Sequence, residues 1–277
     1  TSKKEKKKLR KRLKIYDENY AIAMSFVKAL SKSLLLLGND KHELPTNEDF
    51  DLENMISLSN LNKDIYDYCE FIDVAPLVFQ RIRFIDGIAN DEFIRDIGFN
   101  DFKAIFLKKM KAMKEEKSTG KSGSIFFQSS NGKYFIKTIR VSEVHILKKT
   151  LRSYYSHLKN HPKSLLSRYY GLHKLRFYKN KKQKKNFYLV IMNNVFHNGT
   201  NPIAPESIFD LKGSTYKRRT SKEKLDKNAA GKDLNFLDII RDKKLNIEIR
   251  KAKLDKLLET IKADSIFLSE NNIIDYR

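Results

Sequence analysis

Between residues 209 and 219 the chain reads Phe-Asp-Leu-Lys-Gly-Ser-Thr-Tyr-Lys-Arg-Arg, a segment with the makeup of a phosphate cradle. Lys212, Arg218 and Arg219 can each meet phosphate oxygens, the arginines in bidentate fashion. Gly213 lets the backbone come close to a ligand, and Ser214 and Thr215 add hydroxyl donors around the lone acid, Asp210. A solvated cationic turn would share much of this composition, so the segment by itself leaves both readings open.

A second group that could do chemistry is carried by a hairpin. Residues 124–130 and 133–139 are β-rich runs separated by Asn131-Gly132, a strong two-residue turn signal. With that turn Phe126 faces Lys137, and one face carries Ser124, Phe126, Gln128, Phe135, Lys137 and Ile139. Lys137 thus shares a face with the end of the loop Gly120-Lys121-Ser122-Gly123-Ser124. A donor-rich loop arching over a strand lysine is how a protein-kinase-like lobe holds ATP phosphates. A purely structural hairpin with a snorkelling lysine has the same pattern. The loop is not a P-loop, because Glu115 stands where its first glycine belongs, and no Gly-x-Gly-x-x-Gly string occurs.

Other elements must position these groups. Tyr20, Ile22, Ala23, Phe26, Val27, Leu30, Leu34 and Leu37 recur at helical spacing, and Gly38-Asn39-Asp40 supplies a stop. The acidic, Asn-rich stretch from Lys41 to Asn60 reads as a linker. A helix starts at Pro76, and Asn90-Asp91-Glu92 caps another over Phe93 to Ile97. Val144, Leu147, Leu151, Tyr154 or Tyr155 and Leu158 mark an amphipathic helix ended by Pro162, with Glu143 in its first turn, where an acid also suits the helix dipole. A second hairpin joins Leu172–Tyr178 through a lysine-filled tip to Phe187–Met192, a run apolar enough to be fully buried. An amphipathic helix is expected around Ile247 to Ile261.

The chain has 277 residues and a formal charge of +22, which calls for a polyanionic partner, either nucleic acid or an anionic membrane. A nucleic-acid binder would need a stacking platform, whereas the aromatics fall on core-like periodicities, so no nucleic acid is expected. One cysteine, Cys69, excludes an internal disulfide and reads as a core filler in a reducing compartment. The histidines lack metal-ligand spacing, and the longest apolar stretch, Leu34 to Leu37, cannot span a bilayer.

Asp210 to Arg219 resembles the signature segment of the phosphatidylinositol phosphate kinases, and within them the branch that phosphorylates phosphatidylinositol 4-phosphate at the 5-hydroxyl. Gly120 to Ser124 and Tyr134-Phe135-Ile136-Lys137-Thr138 are similar to that family's ATP loop and ATP-binding lysine. Lys232-Asp233-Leu234-Asn235-Phe236 is another family-like string. The resemblance implies an α+β, two-lobed protein-kinase-like lipid kinase fold. It implies an N-terminal region of basic arm, helix and acidic linker over 1–66, an ATP-binding lobe with an antiparallel sheet over 67–195, and the start of a C-terminal lobe over 196–277.

Residue roles follow from the same resemblance. Gly120, Ser122, Gly123 and Ser124 would cover the ATP phosphates, Lys137 would neutralise them, and Glu143 would pair with Lys137. Met192, Asn193 and Asn194 would form the hinge that meets adenine. Asp210, Lys212, Gly213, Ser214, Arg218 and Arg219 would hold the lipid headgroup, and Asp275 would accept the inositol hydroxyl proton. ATP and Mg2+ are the implied cofactors, because in-line phosphoryl transfer needs more charge neutralisation than these side chains supply, although no magnesium ligand can be named. The implied partners are an anionic membrane and its phosphoinositide lipid, with a homodimer left open, and the place of action is cytoplasmic, peripheral on the cytosolic face of the plasma membrane.

The resemblance stops at Asp275-Tyr276-Arg277, where the family continues Ser-Leu-Leu. The family's metal-binding aspartate and activation loop are not in the sequence, and a further C-terminal portion is expected. The rival expectation is a non-catalytic phosphoinositide-binding membrane scaffold, a pseudokinase.

Overall fold

The structure, a computed structural model, describes residues 22–38, 44–59, 66–97, 126–129, 131–197, 207–226, 229–242 and 249–273. These fall into two compact units, one within Thr1–Pro162 and Ser167–Asn194, the other within Lys163–Leu166 and Val195–Arg277.

The first unit is built on a six-stranded antiparallel sheet. Its strands are β1 (Glu53–Ser59), β2 (Tyr68–Val74), β3 (Phe126–Gln128), β4 (Tyr134–Ile139), β5 (Tyr169–Lys179) and β6 (Lys182–Asn193), in the order β1-β2-β5-β6-β4-β3. Helices α1 (22–37), α2 (Pro76–Ile85), α3 (Asn90–Ile97) and α4 (Val141–Asn160) belong to the same unit. The spacing of Ile22, Phe26, Val27, Leu30 and Leu34 does form a helix whose apolar stripe is buried. Phe26 meets Phe71 of β2 and His173 of β5 at ring-centroid distances of 6.0 and 5.4 Å. A buried polar contact ties α1 to β2, Ser33 Oγ donating to Asp73 Oδ2 at 2.5 Å, and His173 Nδ1 of β5 lies 3.1 Å from Asp73 Oδ1 without making a hydrogen bond. Cys69 is buried on β2, as its reading as a core filler requires.

The stretch read as a linker is partly sheet. Residues 53–59 form edge strand β1, paired with β2 from Glu53↔Val74 to Ser59↔Tyr68, and Ile56 and Leu58 alone of the strand turn inward. Two inward apolar residues make too weak an alternation to stand out among acids and asparagines. The second hairpin also differs from expectation. Its turn is the pair Asn180-Lys181, so Lys182, Lys184 and Lys185 lie on β6 rather than in a loop. Within the run expected to be fully buried, Leu189, Val190 and Ile191 are buried while Phe187, Tyr188 and Met192 are partly exposed.

Arg83 of α2 is a charged group inside this unit. Its Nη1 donates to the Tyr170 carbonyl at 2.7 Å and its Nη2 to Asn90 Oδ1 at 3.0 Å, with the guanidinium 4.8 Å from the Phe93 ring centroid. Burial pulls its pKa down to about 10, which still leaves it charged at neutral pH. Removing it strands two acceptors in the core, so Arg83→Ala is expected to cost about 3 kcal/mol of stability, measured by denaturant unfolding.

The second unit holds β7 (Phe209–Asp210) and β8 (Gly231–Lys232), paired in parallel, with helices α5 (Lys222–Leu225), α6 (Asp233–Arg241) and α7 (Lys251–Glu270). The last helix runs nine residues beyond the Ile261 end expected from sequence; Asp264 Oδ2 there accepts the Leu165 N–H at 2.7 Å. No described helix is long and apolar enough to cross a membrane.

Candidate functional site

The Asn131-Gly132 hairpin forms in the expected register, with Phe126↔Lys137, Phe127↔Ile136 and Gln128↔Phe135. Along β4, Tyr134 and Ile136 are buried while Phe135, Lys137 and Ile139 are half-exposed, so Lys137 lies on the less covered face. Among the described residues its ammonium has no hydrogen bond or ion pair. The hairpin is held at its turn end: Lys133 Nζ bridges Glu92 Oε1 at 3.0 Å and Asp96 Oδ2 at 2.9 Å on α3. These two carboxylates raise the Lys133 pKa, Asp96 first and then Glu92.

Glu143 does not pair with Lys137. Its Oε2 instead accepts the Arg140 N–H at 2.8 Å, closing the first turn of α4. That local bond needs no second element, which is why the carboxylate takes it. The hinge residues are also used internally. The Asn193 N–H donates to the Arg168 carbonyl at 3.0 Å, while Asn193 Oδ1 accepts the Arg168 N–H at 2.9 Å. The Asn194 N–H donates to the Lys133 carbonyl at 2.8 Å and its Nδ2 to the Gly132 carbonyl at 2.7 Å. Together with Met192, paired to both Phe135 and Tyr169, these residues brace the hairpin. Gly120, Ser122, Gly123, Ser124 and Asp275 lie outside the described residues.

The 209–219 segment is folded around a carboxylate that sequence reading did not single out. Asp233, the first residue of α6, turns Oδ1 into a nest of backbone donors, Lys212 N at 2.9 Å and Gly213 N at 2.8 Å, with Ser214 N at 3.4 Å. Its Oδ2 accepts Arg218 Nε at 2.6 Å. Arg218 holds the carboxyl far below the usual carboxylate range, with help from the backbone donors. The N-terminal end of α6 favours the charge as well. Asn235, two residues on, accepts the Thr220 N–H at 2.8 Å and donates to the Thr220 carbonyl at 3.1 Å, and the Leu234 N–H donates to the Arg218 carbonyl at 3.0 Å. The start of α6 therefore clamps the whole segment, and this is the physical content of the Lys232–Phe236 string.

Arg218 and Arg219, expected to grip phosphate, are committed to protein carboxylates. Arg218 also bonds Asp210, through its carbonyl and its carboxylate, and Arg219 pairs with Asp238. Lys212, Lys217 and Arg219 are exposed, and of these Lys212 and Lys217 have no ion pair among the described residues; Lys217 Nζ lies 5.1 Å over the ring of Tyr216, itself 77% exposed. Gly213 has φ +69°, a left-handed conformation that suits its place in the nest. Gly231 fills a second special position: a Cβ there would stand 2.7 Å from the Phe209 ring, which packs on Phe236 at 5.3 Å. Gly231→Ala is expected to dislodge Phe209 and destabilise the second unit by about 2 kcal/mol, seen as a lowered Tm. No group of three or more His, Cys, Asp or Glu among the described residues could hold a metal ion.

The comparisons bear on this geometry. A family model described as Phosphatidylinositol-4-phosphate 5-Kinase matches residues 107–277. The chain belongs to that family. It is 36% identical over 209 residues to a phosphatidylinositol 4-phosphate 5-kinase of Plasmodium falciparum, covering 74% of this chain and 12% of the relative. To phosphatidylinositol 4-phosphate 5-kinase 9 of Arabidopsis thaliana it is 32% identical, covering 74% of this chain and 22% of the relative. To the human type-1 alpha enzyme it is also 32% identical, covering 76% of this chain and 34% of the relative. The chain thus spans about a third or less of the length of these relatives. As a type I-like member of the family, it joins helices to an antiparallel sheet in keeping with a kinase-like lipid kinase fold.

Proposed function

We propose that this chain carries the nucleotide-binding and headgroup-binding parts of a phosphatidylinositol 4-phosphate 5-kinase, which transfers the ATP γ-phosphate to the 5-hydroxyl of its lipid at a membrane surface. The observation that carries the reading is the 209–219 segment, folded around Asp233 so that Lys212 and Lys217 stay uncommitted while Arg218 and Arg219 fix the loop. Two exposed ammonium groups on a fixed loop suit a phosphorylated inositol, whose charge they meet without first breaking an internal ion pair. Lys137, half-buried on β4 and without a carboxylate partner among the described residues, supplies a cation for ATP phosphates. The family relationship supports ATP use, and the chemistry calls for a divalent metal, Mg2+, which one or two carboxylates together with the ATP phosphates would hold. Asp275 is assigned the role of general base toward the inositol hydroxyl.

The test is direct. The protein is incubated with labelled ATP, Mg2+ and vesicles carrying either phosphatidylinositol 4-phosphate or phosphatidylinositol 5-phosphate. Bisphosphate formed from the 4-phosphate lipid supports the reading. Vesicle binding without product would replace it with a phosphoinositide-binding scaffold, and product from the 5-phosphate lipid alone would place the chain in the other branch.

A further inference from the structure

The β5–β6 hairpin ends in a turn whose residues contradict its backbone. Asn180 has φ 51° and Lys181 φ 58°, the pair of positive values that marks a type I′ turn. Asparagine suits the first position, but the second prefers glycine, and a lysine there is strained. The turn is nevertheless braced by Asp67. The Asn180 N–H donates to Asp67 Oδ2 at 2.6 Å and Lys179 Nζ meets Asp67 Oδ1 at 3.1 Å.

The charges beyond this brace are unbalanced. No acid occurs between Tyr169 and Asn193. Arg176 is answered by Glu70 and Lys179 by Asp67, and Lys174 lies over the Tyr188 ring at 4.9 Å. Lys181, Lys182 and Lys184 are exposed and have no ion pair among the described residues. β4 pairs with β6 only from Tyr188 to Asn193, so among the described strands the lysine-bearing half of β6 is an open edge. Lysines on an open edge do oppose strand-to-strand aggregation. That role does not account for a lysine placed in the turn at positive φ, where a strained residue points to function.

From this juxtaposition of a braced turn, a strained lysine and an open cationic edge, we infer that the β5–β6 tip is a docking surface for an anionic lipid bilayer. A plane of negative headgroups matches a short, rigid row of ammonium groups in which nothing must fold on contact. Tyr68 and Tyr178, the sequence neighbours of Asp67 and Lys179 in the brace, stack on each other at 4.4 Å, so neither ring is left unpaired there to take a base between two faces. The choice of a membrane rests on the proposed function, but the surface lies apart from Lys137 and from residues 209–219 in sequence and is read by binding, not turnover.

The measurement is co-sedimentation of the full chain with phosphatidylcholine vesicles containing phosphatidylserine, at physiological salt. Each lysine removed should weaken partition about fivefold, so Lys182→Ala with Lys184→Ala should lose about twenty-five-fold. Lys181→Gly supplies the separation from fold effects: it should raise the Tm by relieving the turn while weakening partition about fivefold. Turnover of a short-chain, water-soluble phosphoinositide should be unchanged in these variants, which isolates a failure of docking from a failure of the kinase reading. Wild-type partition in the double variant would overturn the inference. So would variants that lose binding to an RNA homopolymer while keeping it to vesicles.

Discussion

Lys137→Met is expected to lower kcat/KM for lipid phosphorylation on the order of a thousandfold while leaving the Tm within a degree or so of wild type. Methionine keeps the length and apolar stem of the lysine and removes only its charge. The register Phe126↔Lys137↔Val190 fixes where that charge stands, and the residues that pack β4 inward, Tyr134 and Ile136, are untouched. Because the ammonium makes no ion pair among the described residues, deleting it strands no partner there, and a loss of turnover would report chemistry rather than unfolding. Lys137→Arg should also be impaired, since a planar guanidinium does not reproduce a compact point charge. Turnover preserved in both variants would move the ATP site off this hairpin.

What the sequence disclosed, and what it hid, follows from how local each determinant is. Asn131-Gly132 specifies a turn through two adjacent residues, so the hairpin and the face of Lys137 could be read directly. The α1 stripe from Ile22 to Leu34 is equally local. Strand β2 is hard to read because Glu70 and Asp73 break its apolar run; Glu70 is answered by Arg176 and Tyr178, and Asp73 by Ser33, from distant parts of the chain. The lysines after Asn180 read as loop because they are polar, but the half of β6 beyond the reach of β4 is an open edge, which tolerates charge. In the candidate site the cradle composition of 209–219 was visible. Which of its cations are free was not, because that depends on carboxylates at Asp233 and Asp238 supplied from α6. Glu143 is set by a determinant as local as the hairpin turn, the Arg140 N–H three residues away.

Asp233→Asn tests whether those carboxylates create the site, and about a hundredfold loss of turnover is expected on vesicles carrying phosphatidylinositol 4-phosphate, the cost of a misplaced binding loop. One oxygen of Asp233 serves the Lys212 and Gly213 N–H groups, and the other serves Arg218 Nε. An asparagine can present its single oxygen to one side only, so its NH2 group must face donors on the other, and it should fare no better than alanine. A released loop can adopt the extended backbone that trypsin needs at Lys217, Arg218 and Arg219, so cleavage after these residues in the variant, with the fixed wild-type loop protected, separates loss of the clamp from loss of chemistry. The pH dependence has a definite sign. The folded-state pKa of Asp233 is depressed, so the clamp contributes fully above the ordinary carboxylate pKa of about 3.9 and is lost only as pH falls from there toward the depressed value. Protection of the loop from an acid-tolerant protease should therefore persist at pH 5. Turnover within twofold of wild type in Asp233→Asn, or a loop equally protected in both proteins, would mean that Arg218 holds the segment without its carboxylate and that the headgroup site does not depend on α6.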